Sequence, residues 1–259
     1  MKTTPNTPRH LAVAATALAL LLALRAHAAT FTLNPSADAF VTTGPTANLG
    51  GNNYGGAGAL SVAAAGLANG EFQSVLRFDL STARASFDTQ FGAGQWSIQS
   101  ITLSLTATSP NNAIFNPSAA GQFGVSWMQN DSWTEGSGTP AAPTTTGITY
   151  TSLTGTFIGA SDEALGSFSF AGGTSGTAAY SLSLTPGFDA DATTGNLVSF
   201  RLFADDNAVS YLSDSRSFGT TGFRPLLTVV AVPEPGTLSL LAAGAALLVA
   251  ARRRRKHQR

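Results

Sequence analysis

Residues 101–106, Ile101-Thr102-Leu103-Ser104-Leu105-Thr106, alternate apolar and small polar side chains at every position. A period of two is typical of a β-strand that buries one face and turns the other toward solvent. The same alternation recurs at 123–128, 180–184 and 198–202, where the polar face again carries mostly small side chains. These four segments predict an antiparallel β-sheet protein.

More strand-like segments lie on both sides of these four. They are 37–42, 59–65, 72–80, 148–158, 165–170, 207–212 and 225–232. Glycine, proline, asparagine and serine separate them, and the stretches 44–58 and 136–147 are predicted to be loops. No helical periodicity occurs between the two chain ends, so we expect at most one helical turn, at 81–90.

The predicted fold class is all-β. Residues 29–231 have the length and patterning of one antiparallel, jelly-roll-like β-sandwich. An N-terminal signal helix and a C-terminal apolar helix are expected to flank it.

The composition excludes several kinds of chemistry. The chain has 259 residues, no cysteine and three histidines. His10, His27 and His257 all lie in terminal segments that we expect to be removed, and residues 29–236 contain no lysine. A disulfide framework, a thiolate or histidine zinc site, a Ser-His-Asp triad and a Schiff-base lysine are therefore excluded. We predict no cofactor and no metal.

Charge is segregated along the chain. Residues 29–236 hold five arginines and all 14 acidic residues, a net charge of −9, whereas 1–28 carry +3 and 237–259 carry +6. Phosphate neutralisation requires a basic surface, so nucleic acid is excluded as a partner. An acidic exterior also repels anionic polymers.

Residues 1–28 have the three parts of a secretory signal peptide. The parts are a positive n-region at Lys2 and Arg9, an apolar run at 11–24, and small residues at the cleavage site, Ala26, Ala28 and Ala29. We expect cleavage between the last two of these residues and export through the secretion translocon. The alternative is an N-terminal membrane anchor, but this apolar run is shorter than the ~20 residues that a spanning helix needs.

Residues 232–259 show a different three-part pattern. Pro233-Glu234-Pro235 precedes an apolar run at 238–251, which predicts a short transmembrane helix of about 21 Å at 1.5 Å per residue. A basic stop-transfer tail follows, formed by Arg252, Arg253, Arg254, Arg255 and Lys256. The positive-inside rule keeps this tail in the cytoplasm, so the domain between the two ends lies outside the membrane.

This order of parts resembles the PEP-CTERM sorting signal of bacterial proteins. The resemblance implies recognition by exosortase, a membrane-embedded cysteine protease and transpeptidase-like enzyme. It also implies a transient stay in the bacterial inner membrane and a destination at the cell surface or in the extracellular matrix. The alternative is a permanent single-span anchor.

The central region carries a second resemblance. Its motifs are Asp38-Ala39-Phe40-Val41, Asn52-Asn53-Tyr54-Gly55, Val75-Leu76-Arg77-Phe78-Asp79-Leu80-Ser81, Trp133-Thr134-Glu135-Gly136 and Arg224-Pro225-Leu226-Leu227-Thr228-Val229. In this order they resemble DNRLRE-type domains, which are extracellular β-sandwiches related to carbohydrate-binding modules. Where that family often has Thr-Trp, this chain has Thr149-Tyr150. The resemblance makes extracellular polysaccharide a candidate partner.

Aromatic residues near polar turns are the candidate ligand contacts. Trp133 lies in a polar turn, and with Glu135 and Tyr150 it forms the predicted binding set, because sugars stack on aromatic rings. The alternative for Trp133 is a packing role at the sandwich edge. Trp127 alternates with apolar strand residues and is assigned to the core.

Three other polar sites favour structural roles. Arg77 and Asp79 share one strand face, where an ion pair is favoured over sugar contact. The pairs Asp189/Asp191 and Asp205/Asp206 lie near predicted turns, where Asx-turn hydrogen bonds are favoured over calcium binding.

Three functions remain open. The first is a secreted, exosortase-processed surface or matrix protein with polysaccharide as its candidate ligand. The second is a structural coat protein without a ligand. The third is a glycoside hydrolase or lyase that pairs Glu135 with Glu71 or Glu163. We predict a non-enzyme with no catalytic residues.

Overall fold

The computed structural model describes residues 27–234, which form two antiparallel sheets packed face to face. The strands are β1 (Ala29–Leu33), β2 (Ala37–Thr42), β3 (Ala59–Ala63), β4 (Phe72–Asp79), β5 (Trp96–Thr106), β6 (Gly121–Met128), β7 (Glu163–Phe170), β8 (Thr177–Leu182), β9 (Leu197–Ala204), β10 (Ser210–Asp214) and β11 (Leu226–Pro233). The prediction of an all-β sandwich is confirmed. The two terminal helices that were predicted lie outside the described residues.

The chain passes repeatedly from one sheet to the other. The first sheet has the order β1-β11-β5-β8, and the second has the order β10-β3-β4-β9-β6-β7, with β2 also paired to β4. All of these pairings are antiparallel. Each sheet therefore brings together strands that are distant in sequence, although β3 and β4, and likewise β6 and β7, are consecutive neighbours.

The predicted alternation places the core between the sheets. Ile101, Leu103 and Leu105 are at most 1% exposed, whereas the threonines and serine between them are partly exposed or lie at the strand end. Aromatic rings join the layers, for example Phe123 of β6 and Tyr180 of β8, whose centroids are 5.0 Å apart in an edge-on arrangement. Edge-on packing is the geometry that the ring quadrupoles favour.

The described residues form three α-helices, whereas at most one helical turn was predicted. The segment at 81–90 is not a single turn but belongs to α1 (Ser81–Phe91), which buries only Ala83 and Phe87. These residues are four positions apart and lie on one face of the helix. Two buried positions in eleven residues give too weak a periodicity to detect in the sequence.

The segment 148–158 was predicted to be a strand, and this is wrong. It forms α2 (Tyr150–Ser152), which continues as a π-helix at Leu153–Phe157. Thr149 begins the helix with a reciprocal cap, because its hydroxyl accepts from the Ser152 amide at 3.1 Å and its own amide donates to the Ser152 hydroxyl at 2.9 Å. Such a capping box favours helix initiation over strand extension.

The last helix, α3 (Pro186–Thr194), closes one end of the sandwich. It begins with a proline in its first turn and ends at Gly195, whose φ of +72° is the left-handed conformation that glycine adopts readily. Phe188 and Ala192 are its buried residues and face the core.

A second apolar cluster covers the outer face of the larger sheet. The segment 129–158 lies over β2, β4 and β9, and buries eight residues with the sheet: Ala37, Ala39, Val41, Val75, Met128, Trp133, Ile148 and Leu153. As a result β2 is buried on both faces. We call residues 129–158 the covering segment.

Asn53 fastens this covering segment to the loop at 44–58. Its side chain is fully buried, and its amide Nδ2 donates to the carbonyl oxygens of Glu135 and Ile148 at 2.6 and 2.7 Å. Its Oδ1 accepts from the Gly138 amide at 3.1 Å. A Cβ at Gly138 would lie 1.9 Å from the Asn53 carbonyl oxygen, so only glycine fits there.

Replacing Asn53 by alanine should destabilise the domain by about 3 kcal/mol or more, because it leaves several buried backbone groups without partners. Urea unfolding of the two proteins measures the difference. Asn52→Ala is the matched control, since Asn52 makes one side-chain hydrogen bond, to Tyr54 at 3.2 Å, and should cost about 1 kcal/mol at most. Equal losses for the two variants would contradict the fastening role of Asn53.

Candidate functional site

Trp133 belongs to the covering segment and is buried between this segment and the sheet, with 1% of its surface exposed. Its indole Nε1 donates to the Ser199 hydroxyl at 2.9 Å. The Arg77 guanidinium lies 4.9 Å from the ring centroid, and its Nη1 donates to the carbonyl oxygens of Asp131 at 2.8 Å and Trp133 at 2.7 Å. The prediction that a loop presents this ring to a sugar is therefore wrong, because the ring fills the space between the covering segment and the sheet.

Glu135 and Tyr150, the other two predicted contacts, lie in separate environments. Glu135 pairs with Arg216, whose Nε is 2.6 Å from Oε1, and also accepts from the Asp38 amide at 3.2 Å. The Tyr150 hydroxyl donates to Glu71 Oε2 at 2.7 Å, and burial raises its pKa to about 12. The three predicted residues do not form one binding platform.

The glutamates considered as a catalytic pair hold protein groups. Glu163 of β7 caps α3, accepting from the Gly187 and Phe188 amides at 3.0 and 2.9 Å and from the Thr185 hydroxyl, which lowers its pKa. Glu71 binds Tyr150 and also accepts from Gln73 Nε2 at 2.5 Å. Each carboxylate thus has a structural role.

Two of the aspartates singled out in the sequence, Asp206 and Asp79, accept hydrogen bonds from backbone amides. Asp206 Oδ2 accepts from the Gln122 amide at 2.6 Å, and its Oδ1 accepts from two amides of its own turn. Asp189 and Asp191 lie within α3 rather than near a turn, which corrects that prediction. Asp79 accepts from the Ser81 amide at 3.0 Å, so it is not the ion-pair partner of Arg77. Within residues 27–234, no three acidic or histidine side chains are grouped to hold a metal.

A shallow groove of ≈ 400 Å³ opens at the end of the sandwich where β6 meets α3. Eight residues line it: Trp127, Gln129, Asp131, Gly187, Ala190, Asp191, Thr194 and Asn196. Trp127 belongs to the core, as predicted, and only the rim of its indole reaches the groove, where Nε1 donates to Asp191 Oδ2 at 3.1 Å. A Cβ at Gly187 would lie 2.8 Å from this ring, so glycine allows the close approach of α3.

Two carboxylates give this groove its polarity. Asp131 Oδ1 is buried and has no hydrogen-bond partner, and burial raises the pKa of this carboxyl to about 6. The nearby Asp191 carboxylate raises it further, whereas Ser199 and Arg77 oppose the shift. The exposed amides of Gln129 and Asn196 supply both donors and acceptors. The sequence did not reveal this site, because the opposing wall belongs to an unpredicted helix.

Asp38 is the most deeply buried carboxylate beside the covering segment, with 1% exposed. Its Oδ2 accepts from the Arg216 amide at 2.7 Å, and its Oδ1 has no partner. Burial raises its pKa to about 7; the Glu135 charge adds to this shift, and the Arg216 amide and charge oppose it.

The two processing signals meet the sandwich at one sheet edge. Strand β1 begins at Ala29, the first residue after the predicted cleavage site, and Ala29 lies opposite Ala231 of β11. Strand β11 ends at Pro233, and the exposed Glu234 follows it. The rest of the predicted signal residues lie outside the described part of the chain. They are Ala26, Pro235, the apolar run 238–251 and the tail Arg252–Lys256. Between residues 27 and 234, no helix combines the length and hydropathy required to cross a membrane.

Comparison with known families supports the sorting signal. Residues 231–256 match the family model described as the PEP-CTERM protein-sorting motif. The motif implies that the protein is exported, targeted to exosortase and sorted at the membrane toward the cell surface. No significant match was found among curated proteins. The DNRLRE-type resemblance has no corresponding family match and stays a hypothesis.

Replacing Trp133 by alanine should reduce the free energy of unfolding by about 3–5 kcal/mol, as for other large buried aromatic residues. Urea unfolding provides the measurement. Thr134→Ala, at the exposed neighbouring position, is the control and should change stability by less than about 0.5 kcal/mol. An unfolding midpoint for Trp133→Ala equal to that of wild type would show that the ring does not anchor the covering segment.

Stability should fall as pH rises from about 4 to 7. The folded chain retains the Asp38 proton up to about pH 7, whereas the unfolded chain releases it near the ordinary value of 3.8. The folded state therefore binds more protons in this range, and its stability decreases with pH. Asp131, with a pKa of about 6, acts in the same direction.

Asp38→Asn should flatten this decline, and urea unfolding at several pH values between 4 and 8 measures it. Asparagine keeps the oxygen that accepts from Arg216 and removes the titration. Asp205→Asn, at an exposed turn, is the control and should leave the slope unchanged. A slope for Asp38→Asn as steep as that of wild type would contradict the assignment.

Proposed function

We propose that this protein is a component of the bacterial cell surface or extracellular matrix whose sandwich domain binds polysaccharide in the groove between β6 and α3. In this proposal the signal peptide is removed between Ala28 and Ala29 after passage through the secretion translocon. The segment 238–251 and its basic tail hold the chain transiently in the inner membrane until exosortase processes it. The matched sorting motif at 231–256 supports this route.

The strand order supports a jelly-roll-like description of the domain. When β2, β3 and β10 are set aside, β1 lies beside β11 in one sheet and β4 lies beside β9 in the other. Early and late strands are thus paired in both sheets, as in two nested Greek keys. Jelly rolls occur among lectin domains, although a fold alone does not assign a function.

The groove is the observation that carries the ligand proposal. Sugar hydroxyls can donate to the Asp131 and Asp191 carboxylates and accept from the amides of Gln129 and Asn196. The rim of Trp127 and the Ala190 methyl supply a small apolar surface for sugar C–H groups.

The charge of the domain favours neutral polysaccharides. Residues 29–236 carry a net charge of −9, and two of the groove residues are themselves acidic. Uronic acid or sulfated polymers would bring like charges together, which is unfavourable at low salt.

The proposal assigns no catalytic activity. Glu71, Glu135 and Glu163 each accept hydrogen bonds from side chains or backbone amides that the fold requires. A catalytic pair needs two carboxyls that face a shared sugar-binding space, and none of these three lines the groove.

A glycan array of neutral, cationic and uronic-acid polysaccharides tests the proposal on residues 29–233. We expect binding to neutral polymers, and the variants Gln129→Ala and Asn196→Ala should each weaken it about tenfold, a loss of about 1.4 kcal/mol. Asn111→Ala, an exposed amide outside the groove, is the control and should bind like wild type. An array without hits would favour the ligand-free coat protein, and equal binding by all variants would move the site away from the groove.

A further inference from the structure

The first residues of the sorting motif are part of the folded sheet. Pro233 is the last residue of β11 and lies opposite Trp96, the first residue of β5. The following amide, that of Glu234, donates to the Gln95 carbonyl oxygen at 2.9 Å. No flexible spacer therefore separates the sandwich from the motif.

The pairing of this segment is one-sided. Val232 lies opposite Ser97 of β5, but β1 begins at Ala29, which lies opposite Ala231. Among residues 27–234, the part of β11 beyond Ala231 therefore has a strand partner only on its β5 side. Pro233 suits such a position, because proline lacks an amide donor and occurs at sheet edges and strand ends.

We propose that docking of Val232–Glu234 on β5 controls exosortase processing, so that the enzyme acts on the form in which this segment has separated from the sheet. Recognition clefts bind extended peptides by pairing with their backbone. In the docked form, β5 pairs with one side of this backbone, and the rest of the sandwich lies directly beside the motif. The Glu234 side chain is exposed, but its amide is held by Gln95.

Separation of Val232–Glu234 from the sheet requires little free energy. Strand ends open locally with free energies far below that of global unfolding, and in the part of the chain that the structure describes this end has no strand partner on the β1 side. Docking should therefore slow processing without preventing it. The inference depends on the sorting role of the motif and not on the polysaccharide ligand.

A designed disulfide tests the inference, since the native chain has no cysteine. Val232 and Ser97 are directly opposite one another, and such pairs have Cβ atoms about 4.5–5.5 Å apart. The pair Val232→Cys and Ser97→Cys, oxidised after export, would lock the motif on β5. Thr228→Cys with Thr102→Cys is the matched control, because it joins the same two strands away from the motif.

The measurement is a pulse-chase of the full-length chain in cells that contain the cognate exosortase. We expect processing of the oxidised Val232–Ser97 variant to be at least tenfold slower than that of wild type, with reduction of the disulfide restoring the rate. The oxidised control should be processed at the wild-type rate. Equal rates for the two oxidised variants would overturn the proposal.

Hydrogen exchange on the purified full-length chain gives a second test that does not depend on the cysteine variants. The amides of Val232 and Glu234 should be protected relative to an unstructured peptide. Exchange at the unstructured rate for the Glu234 amide would show that the motif is already free, which would also overturn the proposal.

Discussion

The contact between Arg77 and Trp133 organises the outer half of this domain. An arginine on the solvent-facing side of a strand would ordinarily point into water, but here its guanidinium holds two backbone carbonyls of the covering segment and stacks against the buried indole. The arrangement combines charge-assisted hydrogen bonds with a cation–π contact in a partly desolvated place, where both are stronger than at an open surface. The covering segment then closes the second apolar cluster.

The groove depends on the same contact. Asp131 lines the groove, and its carbonyl oxygen is one of the two that Arg77 holds. The opposite wall, α3, is capped by Glu163 and packed against Trp127 through Gly187. Both walls are therefore fixed by groups outside the groove, which leaves the exposed Gln129 and Asn196 amides at its surface for a ligand. A preorganised polar surface of this kind lowers the ordering cost of binding.

The sequence predicted most of the sandwich because strand alternation is a local property. In segments such as 101–106 and 198–202, every second residue faces the core wherever the strand lies in a sheet. The alternation can therefore be recognised without knowing the topology. The site was less predictable. Trp133 lies between polar residues, which is typical of an exposed loop, and its burial depends on the apolar outer face of β2 and on Val75 of β4. The run Ala37-Asp38-Ala39-Phe40-Val41 did contain that signal, since Ala37, Ala39 and Val41 make one face apolar while Phe40 is apolar on the other.

The partners of the carboxylates explain how a lysine-free acidic domain remains folded. Five arginines cannot pair with 14 acids, and within residues 27–234 only Arg84–Asp88 and Arg216–Glu135 form ion pairs. Backbone amides take the place of the missing cations at Asp79, Glu163 and Asp206, where amide or hydroxyl donors lower the carboxyl pKa. A hydrogen bond from an uncharged amide is little affected by salt screening, in contrast to a surface ion pair. These hydrogen bonds therefore hold their carboxylates at low and at high ionic strength.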